Sequence, residues 1–122
     1  MNRLQKRKAA EKRGRRGELL AAALLVCKGY RILGRRVKTR AGEIDLIAKS
    51  PSGIVCFVEV KTRPDAALAT EAIGGKQRGR IVRAAELYLA GRPLSCRFDV
   101  VTVVPGRLPR HLKDAWRVDD TL

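Results

Sequence analysis

The sequence predicts one α/β domain, a mixed four-stranded sheet flanked by helices in the order α-β-β-β-α-β. Three observations lead there. A chain of 122 residues is the size of a single domain, and 45% hydrophobic content is that of a globular chain. Apolar residues recur at helical spacing in two segments, 15–28 and 75–90. They alternate, or run nearly unbroken, in four short segments at 30–38, 42–49, 54–61 and 98–104.

Each element has its own signal. Leu19, Leu20, Ala22, Ala23, Leu24, Val26 and Cys27 give the first helix a broad apolar face, and Gly29 stands where a helix end favours a left-handed residue. Tyr30–Lys38 follows as a strand, with Gly34 a candidate bulge. Two further strands, 42–49 and 54–61, are joined by the turn-forming Ser50-Pro51-Ser52-Gly53. A loop through Arg63-Pro64-Asp65 leads to a helix over 75–90, whose stripe is Ile81, Ala84, Ala85 and Tyr88 and whose end is closed by Arg92-Pro93. Phe98–Val104 is almost continuously apolar, as in a strand buried on both faces. The first three strands should form an antiparallel meander, and the helical crossover into 98–104 should make that strand parallel to 54–61. Beyond Pro105 the pattern is weak, with one short helix at Pro109–Arg117. The expected organisation is a disordered basic arm at 1–14, the α/β domain at 15–104, and a tail at 105–122 that packs on the domain or trails from it.

The formal charge is +15 and the pI about 10.9, which points to an anionic partner, nucleic acid first among them. Eight basic residues and one acid fill the first sixteen positions, a composition suited to tracking phosphates without reading sequence. The apolar run Leu19–Cys27 begins beside Glu18 and has no small-residue cleavage motif, so it reads as neither a secretory signal nor a membrane span. Three widely spaced cysteines and a single histidine, His111, exclude a zinc site and a disulfide scaffold, and suit the reducing cytoplasm. The thiols read as small buried groups and His111 as an exposed bystander. Trp116 reads as cover for the core edge, with stacking on a base as the alternative, and Asp99 as a local partner of Arg97. Arg78, Arg80 and Arg83 on the second helix face either solvent or phosphate.

In a chain this basic, the placement of acids is informative. Alternation puts Glu43, Asp45 and Ile47 on one face of their strand, and Phe57, Glu59 and Lys61 on one face of the next. A register pairing Ile47 with Phe57 sets Asp45 opposite Glu59 and Glu43 opposite Lys61, whereas a one-residue slip would drive the polar groups into the apolar layer. Two facing carboxylates repel, so one takes a proton or a cation joins them. Oxygen-only ligands select Mg²⁺ or Mn²⁺. Lys61 would then position or polarise water, or offset charge on a phosphate, and the set suits phosphodiester hydrolysis. The plain alternative is a cross-strand Glu43–Lys61 salt bridge.

Gly42-Glu43-Ile44-Asp45-Leu46-Ile47, followed by Phe57-Val58-Glu59-Val60-Lys61-Thr62-Arg63, resembles the YraN family of uncharacterised bacterial proteins. That family is related to the PD-(D/E)xK nucleases, which include restriction endonucleases and archaeal Holliday junction resolvases. The likeness extends through Gly14, Glu18, Gly29-Tyr30, Lys76, Ala85 to Leu89, and Arg97-Phe98-Asp99. It implies a restriction-endonuclease-like core in which Asp45 and Glu59 are metal-binding acids and Lys61 is the motif lysine. It further implies the Val60 carbonyl as an extra ligand, Glu18 as a helical acid completing the site, and Lys76 and Gln77 facing substrate. Two departures stand out: Arg36 where relatives usually carry Asn, and Gly74-Gly75 at the start of the second helix.

The expectation is a cytoplasmic, Mg²⁺- or Mn²⁺-dependent endonuclease acting on DNA, branched forms included. Asp45, Glu59, Lys61 and Glu18 would be catalytic, and Arg15, Arg16, Arg63, Lys76, Gln77 and Arg80 would contact nucleic acid. A homodimer is expected by analogy with the resolvases. The alternatives are a catalytically silent nucleic-acid clamp on the same fold and, from charge and size alone, an RNA–protein assembly factor.

Overall fold

A computed structural model describes residues 2–64 and 74–118. The chain runs α1 (Arg3–Cys27), β1 (Arg31–Thr39), β2 (Gly42–Lys49), β3 (Val55–Thr62), α2 (Gly75–Leu89), β4 (Cys96–Val103) and β5 (Arg110–Trp116). The strands form one sheet in the order β1-β2-β3-β4-β5. All neighbours are antiparallel except β3 and β4, which run parallel. This is the expected meander followed by a crossover through α2. The bulge falls where Gly34 placed it, the β1–β2 register shifting between Ile32 and Gly34.

The two faces of the sheet bury different helices. On one, Ala21 and Leu25 of α1 pack against Leu46, Ala48, Cys56, Val58, Val101 and Val103. On the other, Ile81, Val82, Ala84 and Ala85 of α2 pack against Ile47, Phe57, Phe98 and Val100. Four of the five aromatic residues form a row on this second side: Tyr88 meets Phe57 edge-on, Phe57 stacks on Phe98, and Phe98 stacks on Trp116 at 5.3 Å. The resulting mixed α/β architecture is consistent with the nuclease-like fold. Among the described residues, no helix is long and apolar enough to cross a membrane.

Several expectations change. The sheet has five strands rather than four, because Arg110–Trp116 is a strand and not a helix. A strand there satisfies the backbone groups on the outer edge of β4 and brings Trp116 down onto Phe98. Residues 3–14, expected as a disordered arm, are the first turns of α1. A reciprocal cap starts them: Gln5 N–H donates to Asn2 Oδ1 and Asn2 N–H to Gln5 Oε1. Lys, Arg, Gln, Glu and Ala, all good helix formers, then carry the helix forward. The helix ends at Gly29, whose φ of 87° takes the left-handed conformation a side chain would resist. Of the cysteines only Cys56 is buried; Cys27 and Cys96 are exposed. Asp65 and the rest of the loop it begins lie outside the described residues.

His111 is no bystander. Asp99 in β4 is fully buried and accepts four hydrogen bonds: Nε and Nη2 of Arg97 at 2.8 Å each, Nε2 of His111 at 2.8 Å, and the Asp114 N–H at 3.0 Å. The other ring nitrogen of His111 lies 2.6 Å from Nζ of Lys28 at the end of α1. Because an ammonium can only donate, Nδ1 accepts and Nε2 carries the hydrogen that Asp99 receives. Arg97 also donates to the Tyr30 hydroxyl at 2.8 Å. Burial alone would push the Asp99 carboxyl up, but these donors hold it down at about 2. The network ties the end of α1, the start of β1, β4 and β5 together.

Candidate active site

β2 and β3 pair from Lys49–Val55 to Leu46–Val58, in the register that burial demanded, with Ile47 facing Phe57. The next residues outward are Asp45 and Glu59, and there the ladder ends. Asp45 instead turns its carboxylate into the gap, where Oδ2 accepts the Val60 N–H at 2.9 Å. A side chain thus takes the place of a strand carbonyl. The alternation expected for β2 breaks at the same point, since Ile44 packs with Ile47 on the α2 side while Leu46 packs on the α1 side. Glu43 does not meet Lys61; it is exposed and lies across from Lys38 of β1.

The two acids are in contact. Burial raises both carboxyl groups, and their mutual repulsion drives Glu59 further, up to about 8. Two carboxyl groups raised together favour one proton held between them, and Gln77 Nε2, from the first turn of α2, donates to Glu59 Oε1 at 3.0 Å. The charge of Glu18 adds to the pressure on both.

Glu18 reaches the site because α1 crosses β3 closely. Gly17 is buried, and a Cβ there would run into the Thr62 hydroxyl of β3, so with Thr62 in this rotamer glycine is what lets the helix approach. The Glu18 carboxylate is then met by Arg36 of β1, whose Nε donates to Oε2 at 2.6 Å. Lys61, two residues beyond Glu59, is 6% exposed.

The remaining sites differ in placement. Gln77 belongs to the acid pair itself, by its bond to Glu59. Arg15 and Arg16 are exposed on α1, near Glu18, and Lys76 is exposed at the start of α2. Arg80, one turn after Lys76, lies beside Gly42 at the beginning of β2. Arg63 bends its guanidinium back, donating from Nη1 to the Thr62 carbonyl at 3.0 Å. Sequence reasoning missed Gly17 and the Arg36–Glu18 contact. A glycine inside the helix, directly before Glu18 and the apolar run from Leu19, is the available signal for the first.

The donor set fits a hard divalent cation in one specific way. Asp45 and Glu59 present two carboxyl groups, both raised by burial, whose oxygens could receive a cation in place of a proton. Among the described residues, no group of three or more His, Cys, Asp or Glu is disposed to hold a metal. Two carboxylates suffice for Mg²⁺, which keeps waters or takes phosphate oxygens for its other positions. They do not make a zinc site, whose ligand sets are built around histidine or cysteine.

The pattern of the uncharacterised protein family UPF0102, the YraN family, matches residues 17–103, a span that contains Glu18, Arg36, Asp45, Glu59, Lys61 and Gln77. The chain belongs to that family. A UPF0102 protein of Maricaulis maris is 50% identical over 119 residues, covering 94% of this chain and 93% of the relative. One of Mesorhizobium japonicum is 52% identical over 115 residues, 90% of each chain. One of Parvibaculum lavamentivorans is 49% identical over 113 residues, 89% of this chain and 84% of its own. These UPF0102 chains therefore match from α1 through β4, the elements that build the acid site.

Proposed function

We propose that the protein is a divalent-cation-dependent endonuclease hydrolysing phosphodiester bonds of DNA, branched forms included. The observation that carries this reading is the meeting of Asp45 and Glu59 where β2 and β3 part, in a site where burial forces the two acids to share a proton. Such a pair opposes folding, and strongly perturbed acids of this kind concentrate at functional sites. The basic surface supports the same reading, since Arg15, Arg16, Lys76 and Arg80 are all exposed.

Asp45 and Glu59 would hold Mg²⁺ or Mn²⁺, and Gln77 fixes the orientation of Glu59. When bound, the cation would polarise the phosphate and make water a better nucleophile at neutral pH. Lys61 orients the attacking water or offsets charge building on the phosphate oxygens. The exposed arginines and lysines neutralise backbone phosphates, a contribution that weakens with salt. The three cysteines, none in a disulfide, suit a reducing compartment, and we place the protein in the cytoplasm.

The test is nicking of supercoiled plasmid and of a four-way oligonucleotide junction, with Mg²⁺ or Mn²⁺, by wild type and Asp45→Asn. Wild type should cleave, and the variant should lose about 10³-fold, the scale of removing a central electrostatic group. Equal cleavage by both removes Asp45 from the chemistry. Salt-sensitive binding by both with no product establishes the silent clamp instead.

A further inference from the structure

Arg36 occupies the place where the pleat of β1 breaks. Its φ is 50°, in the left-handed region that side-chain-bearing residues other than Asn and Asp rarely adopt. Its neighbours are regularly paired, Arg35 with Leu46 and Val37 with Ile44, so the break lies directly across from Asp45. The guanidinium contacts Glu18, and both members are partly shielded, with side-chain exposures of 39% and 16%. It also lies near enough to Glu43 and Asp45 to be held more firmly charged by them.

A strained backbone thus delivers a cation into an acidic pocket, where it engages one acid out of three. Asp45 and Glu59 remain with each other, while Glu18, from a helix that Gly17 brings in close, is held by Arg36. We propose that Arg36 is a positioning residue that keeps Glu18 out of the cation's ligand set, so that the site takes a single divalent ion on Asp45 and Glu59 at an affinity that Arg36 sets. This rests on the reading of Asp45 and Glu59 as the cation site. Two effects act in the same direction. The guanidinium repels an incoming dication, and its bond to Glu18 withdraws a further carboxylate from the pocket.

Mn²⁺ binding to the full chain, followed by the electron paramagnetic resonance of free Mn²⁺, reads this without reference to activity. Arg36→Asn removes the charge and suits the left-handed backbone, and it should bind Mn²⁺ about tenfold more tightly than wild type. Arg36→Gly, equally at ease at this φ, should show the same gain, which separates loss of the guanidinium from any new contact made by Asn. Glu18→Gln should change wild-type affinity by less than about twofold, yet abolish most of the gain in the Arg36→Asn background, a coupling a double-mutant cycle isolates. Unchanged or weaker binding by both Arg36 variants overturns the proposal. So does a Glu18→Gln loss in wild type as large as that of Asp45→Asn, because Glu18 would then already be a ligand. If Asp45→Asn leaves Mn²⁺ affinity unaltered in every background, the cation-site reading itself fails, and the Arg36 proposal with it.

Discussion

Asp99 and the Asp45–Glu59 pair sit on the same sheet, separated by little more than one strand, and the fold treats them in opposite ways. Asp99 is fully buried and receives four hydrogen bonds, two from a guanidinium, which hold its carboxyl at about 2. Asp45 and Glu59 are half-buried and meet neutral donors, the Val60 N–H and the Gln77 amide, while burial and then their own repulsion lift Glu59 to about 8. A guanidinium and an imidazole bond the carboxylate at one place, and the bonds described at the other come from a backbone N–H and a side-chain amide. The first arrangement is what a structural knot needs. The second leaves a debt of charge that an incoming cation can settle, and that difference separates the site from the scaffold.

The largest effect should come from removing one acid of each kind. Asp99→Asn leaves Arg97 without its buried partner and should cost about 3–5 kcal/mol of stability. Asp45→Asn keeps an oxygen to accept the Val60 N–H while removing the charge that opposes Glu59, so it should cost nothing or gain up to about 1 kcal/mol. Urea unfolding of the two variants, in chelator, makes the comparison. If Asp45→Asn proved as damaging as Asp99→Asn, the acid pair would be a structural element and the contrast would be broken.

The two centres should also respond to pH with opposite sign. The folded carboxyl of Asp99 lies below the usual value of 3.8, so its stabilisation is complete above that pH and lost as pH falls toward 2. The amount at stake is about 2 kcal/mol. For Glu59 the folded group lies above 4.5, so its contribution is most favourable in acid and is lost as pH rises through about 8. Through these two groups, melting temperatures of the cation-free protein should fall on both sides of a maximum near pH 4–5. Asp45→Asn should flatten the alkaline limb alone, and Mn²⁺ should raise the wild-type protein on that limb while leaving the acid limb unmoved.

Parts of this contrast were legible before any coordinates. The β2–β3 register followed from burial, because Ile47 and Phe57 must share the core, and it carried Asp45 and Glu59 to neighbouring positions. What periodicity could not show was that the ladder stops there, since Asp45 enters the gap only when its own strand loses its pleat opposite Arg36. That break depends on the β1 register, which the bulge between Ile32 and Gly34 shifts by one residue. The Arg36–Glu18 contact was hidden for the same reason. Asp99 was correctly joined to Arg97, but His111 was not added, because β5 has almost no pattern of its own. Its strand conformation comes from the open edge of β4, a tertiary cause. At the other end, composition makes residues 1–14 look like a disordered basic arm, whereas helix propensity and the Asn2–Gln5 cap carry them from Arg3 into α1.

The smallest effect sharpens the comparison within α1, between a part that touches the site and a part that does not. Gly14 and Gly17 are three residues apart, yet a Cβ at Gly14 would meet nothing within 4 Å while one at Gly17 would collide with the Thr62 hydroxyl. Gly14→Ala should therefore show only the helix-propensity gain, about 0.5–1 kcal/mol. Gly17→Ala starts with the same gain but must rotate the Thr62 side chain or lift α1 from β3, and its net change should be zero or a loss of up to about 1 kcal/mol. Thermal unfolding of the two variants side by side separates these outcomes. An equal gain at both positions would mean that the Gly17–Thr62 approach does not hold α1 against the sheet, and the placement of Glu18 beside Arg36 would then need a different cause.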